Sequence, residues 1–351
     1  MPKRVNNIFY DNLKYKYMYS AYTRASKNKH FNKDVILYEL DLSNNITSTL
    51  KKLYSNKYFP GKYNEFIITK PKERVIRALP FPDRVVQQWF VEQFIKPIFI
   101  PSFIDDSYAC LPKRGVHNAA KKAHKYMFIM KKKCKDAYVL KCDVSKFFYS
   151  INKEILFNLI KRKVKDKNVL ELARKFIYDT NNEVGIPIGN YTSQYFANIY
   201  LNELDHFVKE ECKVKYYIRY VDDFILILDS KDKCKEIKKK VVEFLYAKLR
   251  LKLNNKTSFV KIDNGVNFLG YKIFPTHILL RKTNKKKIYK YVRMTNKLYN
   301  NKKLDCLKAL RTLKSWKGHA SVGDTVTLIN DVFDKCDWIV KNNYDYYVDT
   351  K

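Results

Sequence analysis

"YYIRYVDDFILIL", residues 216–228, sets two adjacent carboxylates, Asp222 and Asp223, between runs of β-branched, aromatic and aliphatic residues that predict strands. Neighbouring carboxylates repel each other, and both stay ionised where water or a positive charge lies close by. One explanation is a hairpin turn, in which Asp is common because its side chain bonds to nearby main-chain groups. The other is a divalent metal ion, and this stretch alone leaves both explanations open.

Length and composition exclude several classes of protein. With 351 residues the chain can hold more than one structural lobe, since domains usually have about 100–200 residues. It has no run of the ~20 apolar residues that a membrane span needs, and its first residues, "MPKRVNNIFYDN", lack the apolar run of a secretory signal. The seven cysteines are scattered and never spaced as C-x-x-C, so we expect reduced thiols without disulfides or a zinc site. These features predict a soluble, cytoplasmic protein with no membrane partner.

The charge of the chain is its strongest compositional signal. It has 70 Lys and Arg against 35 Asp and Glu, which gives a net charge of +35. A net charge of magnitude about 2–8 is enough to keep a small domain soluble. An AT-rich genome, which encodes much Lys, Asn, Ile and Tyr, would explain part of the lysine surplus. The acidic residues do not rise to match, however, and 28 Tyr and 22 Phe offer rings on which bases can stack. The composition therefore predicts a nucleic-acid-binding protein.

A further carboxylate precedes the pair in the sequence. The segment "DAYVLKCDVSKFF", residues 136–148, predicts a strand that ends at Asp143. If this strand and the hairpin are neighbours in one sheet, Asp143, Asp222 and Asp223 converge at one edge and can hold two Mg²⁺ ions about 3.5–4 Å apart. Mg²⁺ suits such a site because it takes a few carboxylates and fills its other positions with substrate phosphate and water.

Five short motifs occur in the order found in the fingers and palm of reverse transcriptases. They are "KERVIR" at 72–77, "DVSKFF" at 143–148, "GIPIGNYTSQ" at 185–194, "YVDD" at 220–223 and "FLGY" at 268–271. The chain resembles that family over about residues 60–275. Within it, the chain is similar to the enzymes of diversity-generating retroelements, because "IGNYTSQ" has their aliphatic-Gly-x-x-x-Ser-Gln pattern where most relatives have Gln-Gly-x-x-x-Ser-Pro.

The resemblance implies catalytic and metal-binding roles. Asp143 and Asp222 resemble the two carboxylates that bridge both Mg²⁺ ions, and Asp223 resembles a third, more peripheral one. Val144 lies at a position that contacts the metal and the nucleotide. Lys256, in "LNNKTSF", resembles a lysine that protonates the departing pyrophosphate, although a nearby lysine in the same segment leaves this assignment open.

The resemblance also implies residues that bind the nucleotide and the primer. Arg74, with Lys70 or Lys72, resembles the cations that grip the incoming triphosphate, and a guanidinium suits this because its planar fork bonds two phosphate oxygens. Phe148 falls at the position where an aromatic ring excludes a ribose 2′-hydroxyl; taken by itself, a Phe at a strand end is more often a core residue. The nucleotide-contacting loop and helix start would include Ile188, Gly189 and Gln194, and the primer grip Phe268, Leu269, Gly270 and Tyr271.

The fold implied by the resemblance is an α+β right-hand polymerase. N-terminal helices and fingers would occupy residues 1–136, a palm with an antiparallel sheet 137–274, and a basic helical thumb 275–351. Its implied partners are a template-repeat RNA copied with errors at adenines, the cDNA/RNA duplex, dNTPs and a small basic accessory variability protein. Two alternatives stay open: an antiphage-defence reverse transcriptase with a dedicated non-coding RNA, and a catalytically dead RNA-binding scaffold.

Overall fold

The computed structural model describes residues 4–69, 72–178 and 182–341, and it contains both helices and strands throughout. The helices are α1 Phe9–Asn12, α2 Tyr15–Ser26, α3 Lys33–Glu39, α4 Leu42–Tyr54, α5 Phe81–Phe90, α6 Lys96–Phe99, α7 Val116–Lys133, α8 Phe147–Ser150, α9 Lys153–Lys161, α10 Lys167–Ile177, α11 Tyr191–His206, α12 Lys231–Leu249, α13 Lys282–Asn300, α14 Cys306–Ala320, α15 Val326–Asp334 and α16 Asp337–Lys341. The strands are β1 Asn64–Ile68, β2 Arg74–Ala78, β3 Tyr138–Asp143, β4 Tyr217–Tyr220, β5 Asp223–Leu228, β6 Ser258–Lys261, β7 Val266–Phe268, β8 Tyr271–Ile273 and β9 Ile278–Leu280. The predicted α+β class is confirmed.

Two compact units make up the described chain. The first comprises Met1–Pro112, Asp143–Lys215 and Ile237–Lys256, and the second comprises Lys113–Cys142, Tyr216–Glu236 and Thr257–Lys351. Each unit is therefore built from segments distant in sequence. The division into three consecutive domains at 136 and 274 stays a prediction.

The first unit packs helices around an aromatic core beside a two-stranded sheet. The buried rings of Trp89 and Phe94 meet edge to face at 5.1 Å, and Phe9 stacks on Phe94 at 5.9 Å. The buried Asp166 ties this core to the helices, because its carboxylate caps α10 and also accepts the main-chain N–H of Phe9. Strands β1 and β2 pair antiparallel.

The second unit contains a four-stranded sheet with the strand order β4-β5-β3-β6 and a three-stranded sheet with the order β7-β8-β9. The pairs β4–β5 and β3–β6 are antiparallel, as are β7–β8 and β8–β9. Residues 224–228 are buried throughout, which explains why β5 is a continuous apolar run rather than an alternating one. Helix α7 packs against β4, β5 and β8. The expected strand ending at Asp143 is confirmed as β3, and β5 is its neighbour in the sheet.

Candidate active site

The Asp222–Asp223 pair lies at the tip of the β4–β5 hairpin. Tyr220 pairs with Asp223, which leaves Val221 and Asp222 as the turn. Val221 has φ 55°, a conformation that is strained for a β-branched residue. The fully buried Arg219 supports this turn, since its Nη1 donates a hydrogen bond to the Val221 carbonyl at 3.0 Å. The hairpin prediction is confirmed, and both carboxylates stay partly exposed.

Lys141 supplies positive charge beside this turn. From β3, its Nζ lies 3.6 Å from Asp223 Oδ2 and donates to the Asn267 carbonyl at 2.7 Å. The ion pair lowers the repulsion between the two aspartates. The sequence prediction missed Lys141, although a charged residue inside the apolar strand "YVLKC" is a signal that could have revealed it.

Asp143 belongs to a small polar cluster in the first unit. Its carbonyl accepts the main-chain N–H of Asn254 at 2.7 Å, and its Oδ2 accepts from Asn254 Nδ2 at 3.2 Å. Asn254 Oδ1 in turn accepts the main-chain N–H of Lys256 at 3.1 Å. The structure thus brings Asp143 close to the segment that carries Lys256, whose side chain is exposed. Val144 is buried and forms an isolated bridge with Leu253.

The loop with Ile188 and Gly189 is fixed against strand β2. The N–H of Arg77 donates to the Ile188 carbonyl at 2.9 Å. Gly189 has φ 120°, and a Cβ there would lie 2.8 Å from Ile76 Cγ2 and 3.0 Å from the Arg77 carbonyl oxygen. A side chain does not fit this close approach, so the glycine is required by the backbone. Ile188 itself is half-buried.

Phe148 lies next to the same loop. Its carbonyl accepts the N–H of Ile186 at 2.9 Å, and both residues belong to the first unit. Phe147 is buried, whereas Phe148 is half-buried in the short helix α8. Phe147 is therefore the core residue of the pair, and Phe148 is partly exposed.

The other predicted nucleotide-binding side chains are exposed. Arg74 begins β2 on the strand that contacts the Ile188 loop, Lys72 precedes it, and Gln194 is an exposed position on the otherwise buried start of α11. Lys70 lies outside the described residues. The structure thus brings the Arg74 strand and the Ile188–Gly189 loop together by main-chain contacts.

The predicted primer-grip residues form a second hairpin turn. Phe268 pairs with Tyr271, and the two residues between them have positive φ, 51° at Leu269 and 90° at Gly270. Asn284 Nδ2 donates to the Gly270 carbonyl at 3.1 Å. This turn is therefore held from outside, by the first residues of helix α13.

His319 holds the other side of the same turn. The Tyr271 hydroxyl donates to the His319 carbonyl at 2.8 Å and lies 2.9 Å from its Nδ1. Burial raises the pKa of Tyr271, and burial, followed by the nearby His117, lowers the pKa of His319. Both rings are therefore neutral near pH 7. No sequence motif pointed to Asn284 or His319, because their contacts arise from tertiary packing.

Metal-binding potential in this site rests on carboxylates. Across the described ranges, no group of three or more His, Cys, Asp and Glu side chains lies in an arrangement that could hold a metal ion. The oxygen donors of Asp143, Asp222 and Asp223 are nevertheless the type that Mg²⁺ takes, and Mg²⁺ is commonly held by one or two carboxylates together with substrate phosphates. The donor chemistry therefore fits Mg²⁺. Separately, no described helix is long and apolar enough to cross a membrane.

Known proteins resemble this chain in sequence. The family model described as "Reverse transcriptase (RNA-dependent DNA polymerase)" matches residues 64–273. The group II intron-encoded protein LtrA of Lactococcus lactis subsp. cremoris is 25% identical over 303 residues, which cover 65% of this chain and 49% of LtrA. Protein YkfC of Escherichia coli (strain K12) is 26% identical over 266 residues, covering 63% of this chain and 69% of YkfC. The chain thus spans about half the length of LtrA.

Among solved structures, telomerase from Candida albicans in complex with a fragment of telomeric RNA matches 84% of this chain and 62% of that chain. The identity is 12% and the TM-score 0.48. Apo telomerase from Candida tropicalis, truncated from its C-terminal domain, matches 68% of this chain and 60% of that chain, at 16% identity and a TM-score of 0.47.

Proposed function

The chain belongs to the reverse transcriptase (RNA-dependent DNA polymerase) family, and from this premise we propose that it copies RNA into DNA with Mg²⁺. Family membership, together with the mixture of helices and strands, confirms the predicted α+β right-hand polymerase fold. We assign the fingers to residues 1–136, the palm to 137–274 and the thumb to 275–351. The proposal also assigns two Mg²⁺ ions to the active site.

The observation that carries the proposal is the carboxylate turn on β5, a strand next to the one that ends in Asp143. We propose that Asp143, Asp222 and Asp223 converge on the reacting phosphate, with Val144 beside them. When bound there, Mg²⁺ would activate the primer hydroxyl and neutralise the leaving pyrophosphate. Lys256 would donate a proton to that pyrophosphate.

The remaining residues would position the substrates. Arg74 and Lys72, with Lys70, would bind the triphosphate, and the half-exposed ring of Phe148 would collide with a ribose 2′-hydroxyl. Gly189 and Gln194 would lie along the incoming nucleotide. The turn of Phe268, Leu269, Gly270 and Tyr271 would hold the primer end.

We further propose that the enzyme is the mutagenic reverse transcriptase of a diversity-generating retroelement. Its RNA would be a template repeat copied with errors at adenines, and its protein partner a small basic accessory variability protein. Ile188 supports this proposal. Its carbonyl accepts the N–H of Arg77. Its apolar side chain, at the sequence position where most relatives have a glutamine, cannot donate a hydrogen bond to the nucleotide.

Primer extension on an RNA template, followed by sequencing of the cDNA, tests the proposal. We expect Mg²⁺-dependent synthesis from dNTPs with substitutions concentrated at template adenines. Faithful or untemplated cDNA would instead favour the antiphage-defence enzyme. No synthesis under any condition, with RNA binding retained, would favour the inactive scaffold.

The variant Phe148→Ala tests the sugar selectivity. Removing the ring should admit ribonucleotides and raise their incorporation relative to deoxynucleotides in direct competition. Phe147→Leu, at the buried neighbour, is the control and should leave the ratio unchanged. A ratio that does not move in Phe148→Ala would show that this ring serves packing alone.

The variant Ile188→Gln tests the fidelity proposal. A restored hydrogen bond is worth about 0.5–1.5 kcal/mol, so errors at adenines should fall by roughly two- to tenfold. Extension of the same primer must stay measurable for the comparison. An unchanged error spectrum would mean that infidelity is set by other residues.

A further inference from the structure

A groove of about 530 Å³ lies in the first unit, between the segment before β1 and helix α10. It contributes no residue to the active site proposed above. Three aromatic and three cationic side chains line it: Phe59, Tyr63, Tyr178, Lys62, Arg174 and Lys175. This mixture is typical of surfaces that bind single-stranded nucleic acid, where bases stack on rings and phosphates contact cations.

Phe59 is held outward by a rigid support. The buried Tyr58 donates its hydroxyl to Asp83 Oδ1 at 2.7 Å, and the N–H of Gly61 donates to Asp83 Oδ2 at 3.1 Å. A Cβ on Gly61 would lie 3.1 Å from that same carboxylate oxygen, so the loop is drawn tightly onto Asp83. Between these two anchors the side chain of Phe59 is 71% exposed. A fixed, exposed ring binds a planar partner with little further loss of conformational entropy.

Cations lie against the rings of the groove. Lys175 Nζ is 4.4 Å from the centroid of the Phe59 ring and 3.1 Å from Asn56 Oδ1. The Arg174 guanidinium is 5.5 Å from the centroid of Tyr178. Glu171 also lines the groove, but its carboxylate lies 3.8 Å from Lys175 Nζ, which offsets its charge. The net character of the groove is therefore positive, which matches a polyanion better than an apolar peptide.

One residue that lines the groove, Tyr63, contacts the loop that is proposed to bind the nucleotide. Asn190 Nδ2 donates to the Tyr63 hydroxyl at 2.9 Å, and Asn190 directly follows Gly189. We propose that this groove binds the single-stranded RNA template before it is copied, with bases stacked on Phe59 and Tyr178 and phosphates near Lys62. The identity of the bound strand as the RNA template rests on the proposed polymerase function. The binding of a single strand rests on the groove alone.

The test measures binding of a fluorescent single-stranded RNA and of a matched RNA duplex, without dNTPs. Since stacking on one aromatic ring is worth about 1–3 kcal/mol per base, Phe59→Ala should weaken single-strand binding by about fivefold or more. Phe59→Tyr keeps an aromatic ring and should bind the single strand as the wild type does. Phe31→Ala is the matched control, because Phe31 is 100% exposed outside the groove, and should bind as the wild type does. Unchanged single-strand binding by Phe59→Ala, or an equal loss of duplex binding, would overturn the proposal.

Two further measurements keep the test decisive. Ultraviolet cross-linking of wild-type protein to the RNA should label the peptide of residues 58–63; no label there would overturn the proposal whatever the variants do. The second measurement tests the phosphate contact at Lys62. The variant Lys62→Gln should lower the slope of log affinity against log salt by about 0.7, and Lys33→Gln is its control. An equal change of slope in both lysine variants would contradict a phosphate contact at Lys62.

Primer extension separates this inference from the proposed function. Phe59→Ala should extend a primer on a template with a short overhang as the wild type does, and lose activity on a long single-stranded overhang. Equal activity of the two proteins on both templates would overturn the template groove. If the wild type extends neither template, the polymerase proposal fails, while the binding data still decide whether the groove takes single-stranded RNA.

Discussion

Two hairpin turns of the second unit share one local geometry and differ in what supports them. The turn at Val221–Asp222 and the turn at Leu269–Gly270 each join antiparallel strands through two residues, and each places a non-glycine residue at positive φ, 55° and 51°. The first is supported from its own strand, by Arg219. The second is clamped by side chains of two helices that follow it in the chain.

This difference follows from what each turn presents. The carboxylates at Asp222 and Asp223 are partly exposed, and a substrate could not reach them if helices packed over the tip. The residues that flank the other turn, Phe268 and Tyr271, are buried, so packing can determine its shape. We therefore expect changes at the first turn to alter catalysis more than stability, and changes at the second to alter stability first.

Asp222→Asn gives the largest expected effect. The substitution keeps the shape of the side chain and removes its charge, and losing this proposed metal ligand would forfeit several kcal/mol of transition-state stabilisation. Extension of a primer on RNA should fall by two or more orders of magnitude. The midpoint of urea unfolding should not decrease, since repulsion with Asp223 is relieved.

The control for Asp222→Asn is RNA binding, which should match that of the wild type. An extension rate within tenfold of the wild type, measured at saturating Mg²⁺, would contradict the role of Asp222 as a metal ligand. A large loss of stability would contradict the contrast between the two turns.

Gly270→Ala tests the second turn. At φ 90° a side chain is strained, and its Cβ would lie 3.0 Å from Asn284 Nδ2, so we expect a loss of about 1–3 kcal/mol in the free energy of unfolding. Gly318→Ala is the matched control. Gly318 lies in helix α14, where an added Cβ would meet no neighbouring atom within 4 Å, and this change should stabilise by about 0.5–1 kcal/mol. Equal effects of the two changes, measured by urea unfolding, would show that the clamp does not fix this turn.

Local sequence patterns predicted the hairpin at Asp222–Asp223 and the strand that ends at Asp143. Alternating or continuous apolar runs and turn residues lie close together in the chain, so a short window contains the information. The glycine at 189 also follows from its motif, and the structure gives its reason in the contact with β2. Family motifs therefore located the elements of the site, while the roles of the individual side chains stay predictions.

Side chains that support the site from distant segments could not be predicted. Asn254 reaches Asp143 across 111 positions of sequence, and His319 reaches Tyr271 across 48. Asn254 lies in the stretch "LNNKTSF" quoted for Lys256, but neither contact can be read from the sequence, because each depends on tertiary packing. Val221 is different: a β-branched residue at a turn position that favours Gly or Asn conflicts with local propensity, and such conflicts mark functional sites.

Val221→Gly and Leu269→Gly compare the backbone strain in the two turns. A non-glycine residue in this conformation lowers the free energy of unfolding by about 1–2 kcal/mol. A glycine avoids this strain but loses more conformational entropy on folding, which offsets about 0.5–1 kcal/mol of the gain. Val221→Gly should therefore stabilise by up to about 1 kcal/mol, and by more than Leu269→Gly, because valine is β-branched. Urea unfolding of both variants measures the difference. A greater gain in Leu269→Gly would show that Val221 is not the more strained residue.

Lys141 connects the two hairpins and gives the smallest expected effect. Its Nζ contacts Asp223 at 3.6 Å and the Asn267 carbonyl at 2.7 Å, and each side chain of the ion pair is 26% exposed. Exposed pairs contribute about 0.2–1 kcal/mol, so a double-mutant cycle with Lys141→Met and Asp223→Asn should give a coupling free energy in that range at low salt. The lost bond to Asn267 is common to both arms that contain Lys141→Met, so it cancels from the coupling.

Repeating this cycle with Mg²⁺ tests whether Asp223 binds the ion in addition to pairing with Lys141. If the ion binds at the carboxylate turn, it neutralises Asp223, and the coupling to Lys141 should shrink, while in NaCl of the same ionic strength it should shrink less. Unfolding in urea with either salt provides the four free energies of the cycle. A coupling that is identical in Mg²⁺ and in NaCl would mean that the metal does not reach Asp223. Asp223 would then act through its ion pair with Lys141, which connects the Val221–Asp222 hairpin to the Leu269–Gly270 hairpin.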